Sequence, residues 1–521
     1  MGESEAMQID LIRLSKSRLL SFRQCPLKLW NEIHRRDLAK PPDALRQVIF
    51  DQGTRIGQLA QQRYTGGRLI EAEYWDTKNA LRQTLDALND PSITTIYEAA
   101  FFADNTLVRC DILNRVGPTE WEVWEVKSVG SPKEIHAIDV AIQAEIARRW
   151  AESVSHPFQI LRSGVLHLNK DYTYPGGDYD LNELFAEFDC TDLLEDYREE
   201  VDTLIRDGLA TAALSDPPVI VPGKQCSDPY DCPFSGTACE EPPIEELKLL
   251  PRMMPKKLAA LKSRGIFRID QLSEDDCTLS EPQRRAVAAW KSGEPIIEPG
   301  LKDLLTNIGF PRMHLDFETV APALPIYPGT SPFMTVPFQF SVHIELQKGQ
   351  EAIHTGYLHN DDTDPRRPLA LAMLETLEAP QADSLRANCP ILTYSSYEKR
   401  IIGELADFLP DLQLRLLALQ GRLLDLLPIV RKNVYLREFG GGFSIKKVLP
   451  ALIPGMGYSD LDIAEGGTAS LKFLEMIEMR KAGIDNEAAQ KIYNDLWLYC
   501  QRDTEAMVLL LRKLVIATST P

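Results

Sequence analysis

A long apolar segment is absent from this sequence of 521 residues. A transmembrane helix needs about 18 or more consecutive apolar residues, and no such run occurs, so we expect no membrane partner. The first eight residues are acidic and contain no apolar core followed by small residues, so they do not resemble a secretory signal. The cytoplasm is therefore the expected compartment.

Cysteine is scarce and irregularly spaced. The chain has nine cysteines, an odd number, and none of them belongs to a Cys-x-x-Cys pair. This pattern excludes a small disulfide-stabilised scaffold, and most of the thiols should be reduced.

Positive charge is in deficit. The chain has 57 Lys and Arg against 76 Asp and Glu, which gives a net charge of −19. This balance argues against binding nucleic acid with the whole surface, although it leaves a local basic groove open. The 44% hydrophobic and 26% charged residues are ordinary globular values and exclude disorder for most of the chain.

The length predicts two to four domains of roughly 150 residues each. A turn-rich stretch ends near residue 243, and we divide the chain into segments 1–243, 244–308 and 309–521. The middle segment is short and helical. Within 252–291 it has nine Lys or Arg against five Asp or Glu, which is a local net charge of +4 in an acidic chain.

Alternating helices and strands predict an α/β fold class for the two outer segments. In the first segment, helices are predicted at 11–38, 44–64 and 134–153, and strands at about 94–102, 106–114, 120–128 and 158–168. In the last segment, strands are predicted at about 312–317, 337–346 and 389–394, and helices at 365–378, 397–408 and 487–515.

A first group of charged residues lies on the predicted strands of the first segment. Glu125 and Lys127 are two residues apart, so they should project from the same face of their strand, and Asp111 lies on the strand before it. Two carboxylates could hold a divalent metal while the lysine stabilises charge on a phosphate. The alternative is a cross-strand ion pair on a solvated sheet face.

The order of these motifs resembles the RecB-type nucleases of the PD-(D/E)XK superfamily. A helix-rich start with Gly53-Thr-Arg-Ile-Gly precedes the three charged residues, and a helix carrying Gln143 follows them. The resemblance implies phosphodiester cleavage with Mg²⁺ or Mn²⁺, with Asp111 and Glu125 as ligands, Lys127 as a catalytic residue and Gln143 as support. Many relatives have a His or Glu ligand on the first helix. This chain has Gln58 there, so either Gln58 or Glu98 substitutes, or the site is weakened.

Four cysteines flank this segment. Cys226, Cys232 and Cys239 lie in a turn-rich stretch, and Cys25 lies about 200 residues earlier. Four thiolates can hold an iron–sulfur cluster or a structural zinc ion, and the lack of closely paired cysteines favours the cluster. Unrelated buried or free thiols are the alternative.

One cysteine before the nuclease fold and three after it resemble the iron–sulfur subgroup of the RecB-type nucleases. The resemblance implies a 4Fe-4S cluster on Cys25, Cys226, Cys232 and Cys239 that ties the two ends of the domain together. Such a tether should stabilise the fold by restricting the unfolded chain. We expect the other five cysteines to be core residues.

A second group of acids lies in the last segment. Asp316 and Glu318 share one face of a predicted strand, and Tyr499 and Asp503 share one side of the last helix. Carboxylates from remote segments could clamp two metal ions on a phosphodiester, and the Tyr499 phenol could position the attacking water. Taken separately, each acid could instead be a solvated surface residue.

Together these residues resemble the DEDD exonucleases of the RNase H-like fold, in the variant that ends Tyr-x-x-x-Asp. In that family a middle acid follows a strand, and Glu398 occupies this place where the pattern normally has Asp. Downstream, Leu424-Asp425 and Phe443-Ser-Ile-Lys446 match the family's pattern. The resemblance implies a 3'-5' exonuclease-like module with Asp316, Glu318, Glu398 and Asp503 as metal ligands.

The middle segment contains a stretch that resembles helix-hairpin-helix DNA-binding segments. It includes Lys256, Lys257 and Gly265, and Gly265 is well placed as a helix C-cap. Helix N-termini with nearby lysines could hold phosphates without reading sequence. We expect Lys256, Lys257 and Lys446 to contact nucleic acid. A helical spacer is the alternative for this segment.

The whole chain resembles a bacterial family of unknown function that fuses a RecB-type module to an exonuclease-like module. The leading hypothesis is therefore a metal-dependent nuclease with two nuclease-type modules that acts on nucleic acid, with DNA favoured. The alternative is a nucleic-acid-binding or protein-binding module in which one or both folds have lost their chemistry. An iron–sulfur redox protein is disfavoured, because no second redox cofactor site is apparent.

Overall fold

The computed structural model describes residues 13–73, 75–273, 275–378, 389–483 and 486–518. The chain folds into two compact units with a mixed α/β structure. The first unit comprises Met1–Pro243 and Pro322–Met334, and the second comprises Ile244–Ala321 and Thr335–Pro521. Among the described residues, no helix is long and apolar enough to cross a membrane.

The first unit is built from helices packed on a mixed sheet. Its helices are α1 (Lys16–Gln24), α2 (Pro26–His34), α3 (Ala44–Gln62), α4 (Thr77–Asn89), α5 (Glu134–Ser153), α6 (Leu181–Leu184) and α7 (Leu193–Ala212). Its strands are β1 (Leu14–Ser15), β2 (Gly67–Leu69), β3 (Thr95–Ala103), β4 (Thr106–Arg115), β5 (Glu120–Lys127), β6 (Gln159–Leu168) and β7 (Phe185–Asp189).

The sheet of the first unit has seven strands in the order β2-β3-β4-β5-β6-β7, and β1 pairs with β4. Asp104 and Asn105 join β3 to β4 with φ angles of 48° and 55°. These left-handed conformations are tolerated best by Asp, Asn and Gly, and they suit the twist of a tight hairpin. Strands β5 and β6 are parallel, and α5 makes the crossover between them.

Helix α5 is buried along most of its length, and one of its faces lies in the main core of the unit. Ile138, Ile142 and Ile146 recur at helical spacing and are fully buried in this core. A second cluster of apolar residues contains Trp124 of β5 together with Leu324 from the short segment Pro322–Met334. That segment therefore contributes to the core of the first unit, although in the chain it lies between two stretches of the second unit.

The second unit contains ten helices among the described residues. They are α8 (Pro255–Ser263), α9 (Glu281–Ser292), α10 (Leu301–Thr306), α11 (Arg366–Leu377), α12 (Tyr397–Phe408), α13 (Gln413–Gln420), α14 (Leu426–Asn433), α15 (Ile445–Leu452), α16 (Gly466–Ala482) and α17 (Asn486–Ala517). Its strands are β8 (Ile296–Ile297), β9 (Arg312–Val320), β10 (Val336–Glu345), β11 (Ile353–Leu358), β12 (Ile391–Thr393), β13 (Leu423–Asp425) and β14 (Val434–Tyr435).

The central sheet of the second unit has the order β11-β10-β9-β12-β13. Strands β11, β10 and β9 are antiparallel neighbours, whereas β12 is parallel to both β9 and β13. Strands β8 and β14 form a separate antiparallel pair. Residues 244–308 belong to this unit, where Leu261 and Leu301 share a core with Leu510 of α17.

Polar contacts fix α17 on the face of the sheet that carries Asp316. The hydroxyl oxygens of Thr504 on α17 and Ser341 on β10 are 2.7 Å apart, and Nδ1 of His343 lies 2.7 Å from the same Thr504 oxygen. Further along, the Arg512 guanidinium donates to the buried Glu345 carboxylate at 2.8 Å. Because these groups are buried, their geometry restricts how the helix can slide along the sheet.

Most of the predicted helices and strands are confirmed to within a few residues. The predicted helix at 11–38 is wrong in one respect, because the extended residue Cys25 separates α1 from α2. The first two residues of that prediction lie outside the described part of the chain. Strands β11 and β13 were not predicted. Gly265 has a φ of 77°, and the N–H of Ile266 donates to the Leu261 carbonyl, which confirms the predicted C-cap.

Candidate functional site

Strand β9 places two carboxylates on one face of the second unit's sheet. Asp316 and Glu318 are two residues apart on this strand, and α17 places Cys500 beside them. One ligand atom from each of these three residues can be chosen so that all three atoms lie within 4.8 Å of one another. Glu318 is only 7% exposed, and no hydrogen bond to its side chain occurs among the described residues.

Two further carboxylates approach from the parallel side of the sheet. Glu398 is in the first turn of α12, is 3% exposed, and accepts a 3.1 Å hydrogen bond from the Ser395 hydroxyl. Asp425 ends β13 and caps α14 by accepting a hydrogen bond from the Leu427 N–H. The charges of Asp425 and Asp503 both act to raise the pKa of Glu398, in addition to its burial, so the three groups are neighbours.

Helix α17 supplies Asp503, whose carboxylate accepts a 2.5 Å hydrogen bond from the Tyr458 hydroxyl. The charge of Asp503 acts on Asp316, where it is the largest contribution after burial to the raised pKa of that carboxyl. The predicted acids Asp316, Glu318, Glu398 and Asp503 are therefore brought together from one strand and two helices that are far apart in the sequence.

Lys446, on α15, faces the same group of acids. Its ammonium group donates to the Tyr499 hydroxyl oxygen at 2.7 Å and to the Ala464 carbonyl at 2.8 Å. It also lies 4.9 Å from the ring centres of both Tyr458 and Tyr499. Burial raises the pKa of Tyr499, and the nearby acids raise it further, so the phenol stays protonated.

The four predicted acids are crowded, and the Lys446 charge offsets this only in part by acting to lower the pKa of Asp316, Glu318 and Asp503. Burial raises the pKa of Glu398 to about 7 and that of Asp503 to about 6, and it raises the pKa values of Asp316 and Glu318 well above the usual range. No Lys or Arg of the described residues forms an ion pair with any of the four. Carboxylates in this arrangement repel one another unless protons or cations neutralise them.

The first unit contains a second polar centre, at the end of β5. The Lys127 ammonium donates to Glu125 and to Asp139 at 2.7 Å each, which confirms that residues 125 and 127 share one face. The Lys16 ammonium from α1 donates to the same Glu125 oxygen at 2.7 Å. The Gln143 amide donates to the other Glu125 oxygen at 2.8 Å.

These two lysines change the electrostatics of Glu125. Burial alone would raise the pKa of its carboxyl, but the charges of Lys127 and Lys16 outweigh burial and hold that pKa well below the usual range. Asp111 on the neighbouring strand accepts a 2.8 Å hydrogen bond from the Val126 N–H. Burial and the Glu125 charge raise the pKa of Asp111 to about 8.

Glu98 and Gln58, the two candidate substitutes for the missing ligand, line one depression with Asp111. The pairs on either side of Glu98 in the β3–β4 ladder place it opposite Asp111, and its backbone has a φ of 57°. A left-handed glutamate is uncommon in a strand, and it interrupts the ladder at this point. Burial raises the pKa of Glu98, as it does for Asp111.

The four predicted cysteines meet in the first unit. Cys25 lies between α1 and α2, and the N–H of Cys232 donates to the Cys226 carbonyl at 2.8 Å. The charges of Cys25 and Cys226 contribute to the raised pKa values of both Cys232 and Cys239, after burial. The Gln24 amide on α1 donates to the carbonyls of Gln225 and Tyr230 and so joins the two distant segments.

Within the described residues, no three of these cysteines place their sulfur atoms within 4.8 Å of one another.

The predicted nucleic-acid contacts in the middle segment lie on α8. Lys256 is exposed, whereas Lys257 is partly buried and donates to the side-chain oxygen of Gln283. Lys446, the third predicted contact, instead points to Tyr499 as described above.

Four residues near these centres were not predicted as site residues: Lys16, Asp139, Tyr458 and Cys500. Asp139 is four residues before Gln143, so their shared helix face was a usable sequence signal. Cys500 was expected to be a core residue and is buried, and its sulfur also lies 3.9 Å from a carboxylate oxygen of Asp316. Cys277 was expected to be a core residue too, but it is exposed, so that prediction is wrong. No local sequence pattern distinguishes Lys16 or Tyr458.

A family model matches part of the chain. The family model described as a domain of unknown function (DUF2779) matches residues 313–444, which begin on β9 and end before α15. This span contains Asp316, Glu318 and Glu398 but neither Tyr499 nor Asp503. No curated protein matches the chain.

Proposed function

We propose that this protein is a metal-dependent nuclease that hydrolyses phosphodiester bonds in nucleic acid, with DNA as the favoured substrate. The observation that carries the proposal is the group of four carboxylates, Asp316, Glu318, Glu398 and Asp503, that converge without an ion-pair partner among the described residues. A structural acid is normally paired when it is buried. Four acids of this kind in one place are typical of a cation site.

The donor set fits two Mg²⁺ or Mn²⁺ ions, because carboxylate oxygens are the ligands these ions prefer. Bound ions would stabilise the charge that develops on the attacking and leaving oxygens of a phosphodiester. The sheet order β11-β10-β9-β12-β13, with three antiparallel strands continued by two parallel ones, supports an RNase H-like fold for this unit. We assign it a 3'-5' exonuclease-like activity.

Tyr499 and Lys446 complete the proposed centre. The Lys446 ammonium occupies a lone pair of the Tyr499 oxygen, so the phenolic hydrogen remains free to orient a water molecule toward the substrate. Because the pKa of Tyr499 is raised by burial, the phenol keeps this hydrogen at neutral pH. Lys446 thus acts as a positioning residue in this proposal.

We assign the first unit a PD-(D/E)XK nuclease fold of RecB type. The succession β3, β4, β5, α5, β6 supports this assignment, as does the Glu125–Lys127 pair at the end of β5. Asp111 and Glu125, with Glu98 or Gln58, would hold the metal, and Lys127 and Gln143 would support the chemistry. We also assign a 4Fe-4S cluster to Cys25, Cys226, Cys232 and Cys239.

One observation favours a second candidate for the first unit. Lys16 and Lys127 already compensate the charge of Glu125 and Asp139, so this centre needs a cation less than the acids of the second unit do. The alternative function is therefore a nucleic-acid-binding module with reduced catalysis in the first unit.

A nuclease assay on end-labelled single- and double-stranded DNA and RNA with Mn²⁺ tests both assignments. Asp316→Asn or Asp503→Asn should abolish the exonucleolytic ladder, and Glu125→Gln or Lys127→Met should abolish any cleavage by the first unit. Glu505→Gln, two residues beyond Asp503 on α17, is the matched control and should retain activity. If metal-loaded protein degrades none of these substrates, the enzyme proposal fails.

A further inference from the structure

A basic depression in the second unit lies outside the group of acids. Three cationic residues from two stretches of the chain line it: Arg252 precedes α8 and Lys257 is on α8, whereas Arg431 is on α14. The remaining lining residues are Pro251, Met254, Ser280, Pro282, Gln283, Gly441 and Phe443.

None of the three cations forms an ion pair with a carboxylate among the described residues. Lys257 donates to the neutral amide oxygen of Gln283, and the Arg431 guanidinium lies 5.9 Å from the centre of the Phe443 ring. Arg252 is exposed.

Several other cations of the same region are paired. Arg264 contacts Asp276 at 2.8 Å, and Arg285 contacts Glu298 at 2.7 Å. In a chain with a net charge of −19, three unpaired cations around one depression indicate an anionic ligand.

Helix α9 fixes the geometry of this depression. The amide nitrogen of Gln283, which is 2% exposed, donates to the Pro251 carbonyl at 2.9 Å, next to Arg252 in the chain. Two residues further along α9, Arg285 donates to the backbone carbonyl of Arg431 at 3.2 Å. The backbones that carry two of the three cations are therefore held by side chains of one helix.

Two helices also begin at this depression. Met254 and Ser280, which precede α8 and α9, are both among its lining residues. The N-terminal end of a helix carries partial positive charge, so both helices add to the potential that the three cations create.

We propose that this depression binds the phosphate groups of a nucleic-acid backbone, through Arg252, Lys257 and Arg431. The contacts are to phosphates, so they should position a strand without reading its sequence. This inference rests on the proposed action on nucleic acid and assigns that strand a specific anchoring surface.

One helix connects the depression to the strands that lead to the acids. Arg431 is on α14, and Asp425 caps the first turn of that helix at the end of β13. Strand β13 pairs with β12, which precedes the helix that carries Glu398. A strand held at Arg431 would therefore be anchored on the helix that follows this edge of the sheet.

The test measures binding without cleavage. Fluorescence anisotropy of a labelled single-stranded DNA, in EDTA and over a series of salt concentrations, gives the Kd and its salt dependence for the full chain. The variant Arg252→Gln/Lys257→Gln should weaken binding several-fold and reduce the salt slope by about 1.4, because each single-strand phosphate contact contributes about 0.7. The control Lys291→Gln/Lys302→Gln removes the same charge from exposed positions that do not line the depression, and it should leave the slope unchanged.

Several results would overturn the inference. It is wrong if the two double variants behave alike, or if the wild-type chain binds no nucleic acid. It is also wrong if polyglutamate displaces the labelled DNA as effectively as unlabelled DNA does. The inference fails too if inorganic phosphate binds to the depression but DNA does not.

A parallel cleavage assay with Mn²⁺ separates this inference from the proposed function. If the chain cleaves DNA but its binding is insensitive to Arg252 and Lys257, the anchoring site is wrong and the nuclease proposal stands. If binding depends on these residues but no cleavage occurs, the anchoring site stands and the nuclease proposal fails.

Discussion

The ammonium group of Lys446 and the phenolic oxygen of Tyr499 are 2.7 Å apart, and the lysine makes no ion pair with the carboxylates beside it in the described structure. This contact holds the Tyr499 hydroxyl, and the charges of Glu318 and Asp503 contribute to the raised pKa of the phenol. We expect Lys446→Met to lower kcat of the proposed exonuclease activity about 10- to 100-fold, because the phenol loses its fixed orientation. Steady-state kinetics on a labelled strand measures this effect.

Comparison with Tyr499→Phe identifies the cause of that loss. If Lys446 acts through the phenol, the double variant should be no slower than the slower single variant. Lys446→Arg, which can still donate to the phenol, should restore part of the activity. Lys447→Met removes the adjacent exposed lysine and should have little effect. Fully additive losses would show that Lys446 does not act through Tyr499.

Neutralising one of the unpaired acids should stabilise the metal-free protein. Asp316→Asn removes a partly buried carboxyl whose ionised form three neighbouring acids repel, so in EDTA we expect the melting temperature of the second unit to rise by about 2–4 °C, equivalent to about 1 kcal/mol. Mn²⁺ should raise the melting temperature of the wild-type chain and have a much smaller effect on the variant, because ligand binding stabilises only a competent site. Differential scanning calorimetry measures both.

Asp362→Asn is the control for this experiment, since Asp362 is exposed and forms no ion pair among the described residues. It should change neither the melting temperature in EDTA nor the response to Mn²⁺. A lower melting temperature for Asp316→Asn would instead indicate that Asp316 has a structural role.

The parts of these centres that depend on local periodicity were predictable from the sequence. Alternation along β5 correctly placed Glu125 and Lys127 on one face, and helical spacing would have grouped Asp139 with Gln143. Lys16 was not predictable, because its contact with Glu125 joins residues 109 positions apart and depends on how α1 packs. Tyr458 reaches Asp503 from an irregular segment and was missed for the same reason.

The assignment of segments to units was also beyond local patterns. Residues 322–334 follow β9 directly, yet Leu324 is buried in a core of the first unit. Short strands were missed as well. β13 has only three residues, and its place beside β12 is set by pairing that no sequence period reveals.

The cysteine centre should contain iron. After anaerobic purification, we expect about four iron atoms per chain and a broad visible absorbance, and both should be lost in Cys232→Ser. Cys277→Ser removes an exposed cysteine outside the group and should retain both signals. The Cys232 variant should also unfold at a lower temperature, because the cluster ties segments about 200 residues apart. Recovery of one zinc ion per chain in place of iron would contradict this prediction.

The final prediction concerns the balance of charge around Glu125. Lys16→Met removes one of two ammonium groups that contact this carboxylate and leaves Lys127 in place, so we expect a loss of about 2 kcal/mol in the free energy of unfolding in EDTA. Because the missing positive charge can be replaced by a metal cation, Mn²⁺ should restore more stability to this variant than to the wild-type chain. Lys78→Met, an exposed lysine on α4, should behave like the wild type. If Mn²⁺ fails to stabilise Lys16→Met beyond the wild-type response, the centre in the first unit does not exchange an ammonium for a metal ion, and its role as a binding module is favoured over catalysis.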